Sequence, residues 1–362
     1  MTELFINGRF LTQRTTGVQR FATEILRALD TELCSGTWRV EPRPVLLVPP
    51  GAYRKVGFRA IETQQVGRLS GHAWEQLELP RHTGKGISLN LCNTAPLAGN
   101  RVIVAIHDAG VFAVPSTYSA SFLLWYRFMH SVLARRAIRV ITVSDFSRRE
   151  LEQHTGIDGG RITIIPNGGE HILAAPADSR VFQRLALTYP RYLLAVSSRS
   201  PHKNFEGLLS ALRQVPNRDF DVVLAGGVNA RVFSGTALDT SGAAHLAGYV
   251  TDGELRALYE NAACFVYPSL YEGFGLPPLE AMTCGCPVVV SRLASLPEVC
   301  GDAAVYCDPH DPADIARAIE TVLGNPELQA DLRQRGPERA ARFTWTNAAR
   351  SLLDLLDELR VR

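Results

Sequence analysis

The sequence predicts an α/β protein made of two doubly wound parallel sheets. Short apolar runs bounded by Gly, Pro or Asn alternate with longer stretches of helical period, which is the pattern of parallel strands with helices on both faces. The alternation occurs twice along the chain. The length, 362 residues, exceeds one ordinary core and fits two domains of roughly 150–200 residues each.

The first half offers the strands "LFING", "RPVLLV", "ISLNL", "RVIVAIHD", "RVITVS" and "RITIIPNG". Between them fall the helical stretches "VQRFATEILRALD", "SASFLLWYRFMHSVLARRA" and "DFSRRELEQHT". The second half offers "YLLAVS", "FDVVLAGG", "HLAGYV", "CFVYPS", "CPVVVS" and "AAVYCD", with helices at "NFEGLLSALRQV", "DGELRALYENA", "LPPLEAMTC" and "DPADIARAIETVLGN". The stretch "HILAAPADSRVFQRL" has little strand character and marks the junction. The expected domains are 1–175 and 176–344. A final amphipathic helix, 345–362, follows the completed second sheet and is expected to cross back to the first domain.

Composition excludes several classes. Hydrophobic content of 46% and charged content of 20% are those of a soluble globular chain. The longest apolar runs fall far short of the ~20 residues of a membrane span. "MTELFINGRF" lacks the basic and apolar regions of a secretory signal, and the seven cysteines form no C-x-x-C pair, so a cytoplasmic protein with reduced thiols is expected. Net charge is +2, divided as +6 over residues 1–170 and −4 over 171–362. A basic first half suits an anionic acceptor or membrane face. No basic stripe or nucleic-acid motif is present. Phosphate-loop, nucleophile-elbow and zinc spacings are absent too, as is a D-x-D pair for a divalent metal. Neither cofactor nor metal is expected.

In doubly wound sheets ligands sit at the carboxyl ends of strands, where loops enter helices. Four such loops carry candidates. In "NGRFLTQRTTGVQR", Gly17 opens a helix and lets backbone N–H groups approach an anion, though Thr16 as a simple cap explains it as well. In "VIVAIHDAGVFAVP", His107 and Asp108 end a buried strand; a packed His and a loop-satisfying Asp are the plainer alternative. In "VSSRSPHKNFEGLL", Arg199 and Lys203 lie at a helix N-terminus, where the macrodipole disfavours cations and an anion such as a diphosphate would bind between them; two solvated surface cations are the plainer alternative. Lys203 is also one of only three lysines among 38 basic residues. In "YPSLYEGFGLPPLEAMTCGCPVVV", Glu272 falls in a glycine loop and Glu280 about a turn into the next helix. Such carboxylates accept vicinal hydroxyls of a sugar or a ribose. The N–H groups of Phe274, Gly275 and Leu276, beside Gly273, can meet phosphate or hydroxyl oxygens.

"E-G-F-G-L-P-P-L-E" from Glu272 to Glu280 resembles the E-x7-E signature of retaining GT-B glycosyltransferases of family 4, and its surroundings are similar over their whole length. "SRSPHKNFEGLL" resembles that family's diphosphate loop, and "TTGVQR" its N-terminal glycine loop. "IHDAGVFAVP" and "VSDFSRRELEQHTG…IPNG" look like motifs of the mannosyltransferase-like branch. Two departures bear on the phosphate pose: the first loop lacks a nearby second glycine, and Ser197-Ser198 stand where many members have a glycine before the arginine.

The resemblance implies two Rossmann-like domains facing a cleft, the N-terminal one binding the acceptor and the C-terminal one a nucleotide-diphosphate sugar. Glu272 would contact the donor sugar and Glu280 the ribose. Arg199 and Lys203 would hold the diphosphate, and His107 would face the sugar, with Asp108 nearer the acceptor. The backbone around Gly248, Tyr249 and Val250 would line the base pocket. The implied reaction is metal-independent, retaining transfer of a hexose, first mannose from GDP-mannose, to a glycan or polyprenyl-diphosphate-linked acceptor in bacterial surface polysaccharide synthesis. A deoxyhexose or UDP-hexose donor is the alternative. A sugar-nucleotide epimerase and a non-catalytic nucleotide-sugar-binding subunit are the rivals of other classes. The helix "YSASFLLWYRFMHSVLARRAIR", rich in aromatics and arginine, offers peripheral membrane contact or a core-packed face with a basic edge.

Overall fold

A computed structural model describes residues 3–36, 38, 42–99, 101–187, 191–197, 200–215, 219–227 and 244–360. The chain forms two compact units, Met1–Asn167 with Trp345–Arg362, and Gly168–Thr344.

The first unit is built on a seven-stranded sheet. Its strands are β1 (Leu4–Asn7), β2 (Val45–Val48), β3 (Glu62–Gln65), β4 (Ile87–Asn90), β5 (Val102–Ala105), β6 (Arg139–Thr142) and β7 (Ile162–Ile164). Their order is β3-β2-β1-β4-β5-β6-β7, and every neighbour pair is parallel. Strands β4 and β5 are buried at every position, as strands covered on both faces must be. By contrast β3 reads ETQQ and is exposed throughout. It joins the sheet edge through backbone pairing with β2 alone.

The second unit carries β8 (Tyr192–Ser197), β9 (Asp221–Gly226), β10 (Ala244–Gly248), β11 (Cys264–Tyr267), β12 (Val288–Ser291) and β13 (Val305–Cys307), all parallel in the order β10-β9-β8-β11-β12-β13. Both sheets are therefore wound outward in two directions from a central pair, β1/β4 in one and β8/β11 in the other. Such reversals open a crevice at the strands' carboxyl ends.

The first junction falls at Gly168 rather than at the expected 176. The physical reason is the short 3-10 turn Glu170–Leu173, whose His171 hydrogen-bonds Glu280 inside the second unit. The helix Trp345–Arg360 belongs to the first unit. It packs along helix Gly17–Cys34, with Trp345 edge-on to Phe21 at 5.9 Å. Arg101 donates to the Leu359 carbonyl, and Arg350 pairs with Glu32. Trp345 and Phe21 are both buried, so removing the indole leaves a cavity. Trp345→Ala is expected to destabilise the first unit by about 3–5 kcal/mol, measured by urea unfolding. A loss under about 1 kcal/mol would show that the helix docks without this anchor.

Candidate active site

The second unit's candidates converge at its strand reversal. Lys203 lies in the loop after β8, and Glu272 in the loop after β11. Lys203 Nζ donates to Glu272 Oε1 at 2.7 Å and Oε2 at 3.0 Å, and to the Tyr267 hydroxyl at 2.9 Å. The Glu272 side chain is only 10% exposed and that of Lys203 19%. Burial works against the ammonium charge, but the Glu272 carboxylate and Tyr267 outweigh it and hold the Lys203 pKa above the usual lysine value. A raised lysine pKa contributes stability that is complete below the unfolded value of 10.5 and is lost only at higher pH, so the pair persists through the neutral range.

The loops are fixed by more than this pair. Asn204 adopts a left-handed conformation, φ 55°, and its Nδ2 donates to the carbonyls of Pro268 (3.0 Å) and Pro309 (2.6 Å). The Leu270 N–H donates to the His202 carbonyl, and Ser295 Oγ to the Glu272 carbonyl. Gly275 caps helix Leu276–Thr283 with φ 98°, where a side chain would be strained and its Cβ would meet Leu296 at 2.5 Å. Two prolines occupy that helix's first turn, where a missing N–H costs nothing. Gly273 and Phe274 are buried beside it, with Phe274 edge-on to Phe343 at 5.7 Å, and Leu276 is half-buried.

Glu280 is also buried. Its Oε1 lies 2.9 Å from His171 Nε2, and its Oε2 accepts from the Tyr259 hydroxyl at 3.3 Å. Its local partners are thus another imidazole and phenol, not the Lys203 group. At the end of β10, Tyr249 is exposed and Val250 half-buried, just after Gly248 at φ 64°. Arg199 lies outside the described residues.

In the first unit, His107 follows β5 and is buried. Its N–H donates to Asn93 Oδ1 at 2.8 Å, and its Nε2 lies 3.0 Å from the Leu91 carbonyl. A carbonyl can only accept, so Nε2 carries the proton in that contact. Burial lowers the His107 pKa to about 4 against the bond to Leu91, which leaves the ring neutral at pH 7. Phe21 packs edge-on to it at 4.7 Å. Asp108 turns back on its own loop, accepting from the Gly110 N–H at 2.7 Å. Gly17 is the first residue of helix Gly17–Cys34, behind Thr16 as N-cap, and a Cβ built on it would meet nothing within 4 Å. Packing within the unit therefore does not require glycine there.

Residues 179–339 match the "Glycosyl transferases group 1" family and residues 82–169 the "Glycosyltransferase Family 4" family. The chain is 34% identical over 264 residues to the O-antigen chain mannosyltransferase B of Escherichia coli, covering 68% of each chain. The chain belongs to the group 1, family 4 glycosyltransferases. It is also 24% identical to the O-antigen chain mannosyltransferase RfbU of Salmonella typhimurium, over 95% of this chain and 96% of that one. In three dimensions it resembles the sucrose-phosphate synthase of Thermosynechococcus elongatus, with a TM-score of 0.74, 18% identity and complete coverage of both chains. That likeness shows the GT-B fold of two Rossmann-like units.

Several residues of this candidate site escaped the reading of motifs. Tyr267, Asn204, His171 and Tyr259 support the charged residues without lying in the E-x7-E stretch. Asn204 had a signal, since Asn is the residue other than Gly that most readily takes φ > 0 before a helix. His171 had none, because its partner is 109 residues away.

His107 and His130 give the first unit of the glycosyltransferase a pH response. Burial lowers both pKa values to about 4 from 6.5. A depressed histidine pKa means that the unfolded chain binds the proton more readily, so stability falls as pH drops from 6.5 toward 4. Each contributes up to roughly 3 kcal/mol of this loss. Urea midpoints across pH 4–7 should fall less steeply in His130→Gln than in the unmodified chain. Equal slopes would show that His130 does not drive the response.

Proposed function

We propose that this glycosyltransferase moves a hexose, first mannose from GDP-mannose, onto a hydroxyl of a glycan or polyprenyl-diphosphate-linked oligosaccharide in bacterial surface polysaccharide synthesis. The observation that carries the reading is the Lys203–Glu272–Tyr267 group at the reversal of the second sheet, inside the stretch matched by the group 1 family. Two relatives named as O-antigen mannosyltransferases support the choice of sugar and pathway.

In this proposal Lys203 and Arg199 face the donor diphosphate, and the N-terminus of helix Leu276–Thr283 adds its positive end. Charge on the leaving diphosphate is met by these groups, so no divalent metal enters the scheme. Glu272, held by Lys203, accepts hydroxyls of the sugar. Glu280, held by His171 and Tyr259, accepts those of the ribose. Tyr249 and Val250 flank the base. His107, neutral, meets the sugar as a hydrogen-bonding ring and not as an acid, while Gly17 leaves its helix N-terminus open to the donor. Transfer retains the anomeric configuration by a front-face path. The leaving phosphate takes the proton of the acceptor hydroxyl, and catalysis consists of preorganised charge and alignment.

The protein acts at the cytoplasmic face of the membrane. No described helix is long and apolar enough to cross a bilayer. Exposed Leu124 and Phe128 on helix Ala120–Arg136, near Arg135 and Arg136, support peripheral contact.

A thermal-shift screen of GDP-, UDP- and dTDP-sugars tests the donor. GDP-mannose is expected to raise the melting temperature most. A flat response to every nucleotide sugar would remove the donor assignment. Lys203→Ala and Glu272→Ala are each expected to lower kcat/KM by a factor of about 100 or more, as loss of a preorganised group does. Full activity in either variant would exclude that residue from the site.

A further inference from the structure

The carboxyl edge of the first sheet holds a second polar group, between β1 and β4, where that sheet's winding reverses. Asn7 ends β1 and Asn90 ends β4. Asn7 Nδ2 donates to Asn90 Oδ1 at 2.9 Å and to Glu75 Oε1 at 2.8 Å. Arg9 Nε at 3.2 Å and Thr94 Oγ1 at 2.8 Å donate to the same Glu75 oxygen. Glu75 is wholly buried. Its Oε1 thus receives three hydrogen bonds, while its Oε2 has none that meets hydrogen-bond geometry. His72 Nδ1 lies 3.4 Å from Oε2.

This is an expensive arrangement. Burying an Arg–Glu pair repays its desolvation only when the geometry is very good, and apolar residues often do as well. Glu75 also sits in the π-helical turn Trp74–Glu78, a rare form that recurs at functional sites. His72 is the route from this group to solvent. Its Nδ1 is buried toward Glu75, yet its side chain is 40% exposed. Its ring meets Trp125 and Tyr126 edge-on, at 6.0 Å and 6.2 Å. The Trp125 indole N–H is buried without a hydrogen-bond partner.

We infer that His72, oriented by Glu75, together with Trp125 forms a subsite that recognises hydroxyl groups of a neutral acceptor sugar. The inference rests on the glycosyltransferase reading above. With the carboxylate behind Nδ1, the proton resides there and Nε2 accepts. The subsite then offers one acceptor, His72 Nε2, beside the rings of Trp125 and Tyr126, which suit the C–H face of a pyranose. A carboxylate this close disfavours an anion in the same place. The subsite sets which acceptor binds and takes no part in breaking the donor bond.

The test measures kinetics with octyl α-D-mannopyranoside, glucopyranoside and galactopyranoside as acceptors and GDP-mannose as donor. His72→Ala is expected to raise the acceptor KM about tenfold, the scale of one hydrogen bond with its partner left bare. The KM for GDP-mannose should not move. His72→Gln, which keeps an acceptor atom, should recover part of the loss. Trp125→Leu removes the aromatic face and should raise the acceptor KM several-fold. Acceptor KM values within twofold of the parent in both His72→Ala and Trp125→Leu would overturn the subsite, as would an equal rise in donor KM. Ligand-observed NMR with the octyl glycosides and no donor separates this from the donor assignment. If GDP-mannose fails to bind but an octyl hexoside binds and His72→Ala abolishes that binding, the subsite stands and the donor assignment falls. Undiminished binding in His72→Ala, or no binding of any octyl hexoside to the parent, overturns the subsite.

Discussion

The Lys203–Glu272 ion pair is the contact on which the second unit's site depends. It joins loops 69 residues apart in sequence that leave adjacent strands, β8 and β11. Neither partner is well solvated, so removing one would strand the other's charge in a poorly hydrated place, which costs far more than an exposed pair is worth. Tyr267 satisfies a third donor position of the ammonium. Asn204, the next residue, fastens the same loop to the segments after β11 and β13 through two carbonyls. The described residues of these loops, from Ser200 onward in the first, are therefore cross-linked by the protein's own side chains, which leaves less conformational entropy to be lost there on binding.

The first unit uses different physics at the equivalent edge. There the groups are neutral or charge-balanced and deeply buried: His107 held by the Asn93 side chain and the Leu91 carbonyl, and Glu75 ringed by Asn7, Arg9 and Thr94. Each unit thus holds a cation–carboxylate pair at its strand reversal: Lys203–Glu272 keeps some exposure, whereas Arg9–Glu75 is sealed and wrapped in neutral hydrogen-bonding side chains.

Much of the fold was legible because buried parallel strands are apolar on both faces. All six strands expected in the second half form, among them β8 from "YLLAVS" and β12 from "CPVVVS". The exception in the first half is β3, whose "ETQQ" has no apolar residue; backbone pairing at a sheet edge leaves no trace in a hydropathy pattern. Helix Pro326–Ala340 was also missed. It carries Pro337, a residue that ordinarily ends helices, in its interior, and a Cβ built on Gly336 would lie 3.4 Å from the Met282 carbonyl oxygen. At the site, the glutamates and Lys203 stood out through spacing and rarity. Their supports, His171, Tyr259 and Tyr267, meet them only through tertiary packing, which no local pattern encodes.

The last helix of the first unit leaves the ribosome only after the whole of the second unit. Until Trp345 and the residues after it emerge, helix Gly17–Cys34 lacks the helix it packs along, and Phe21 has His107 but not the indole beside it. The second unit, contiguous from Gly168 to Thr344, is synthesised whole before that partner exists. Vectorial synthesis thus leaves the earlier unit as the later to finish, with apolar surface open to chaperones or to other nascent chains meanwhile. A stalled or C-terminally clipped product would carry a complete second unit beside an unsealed first one.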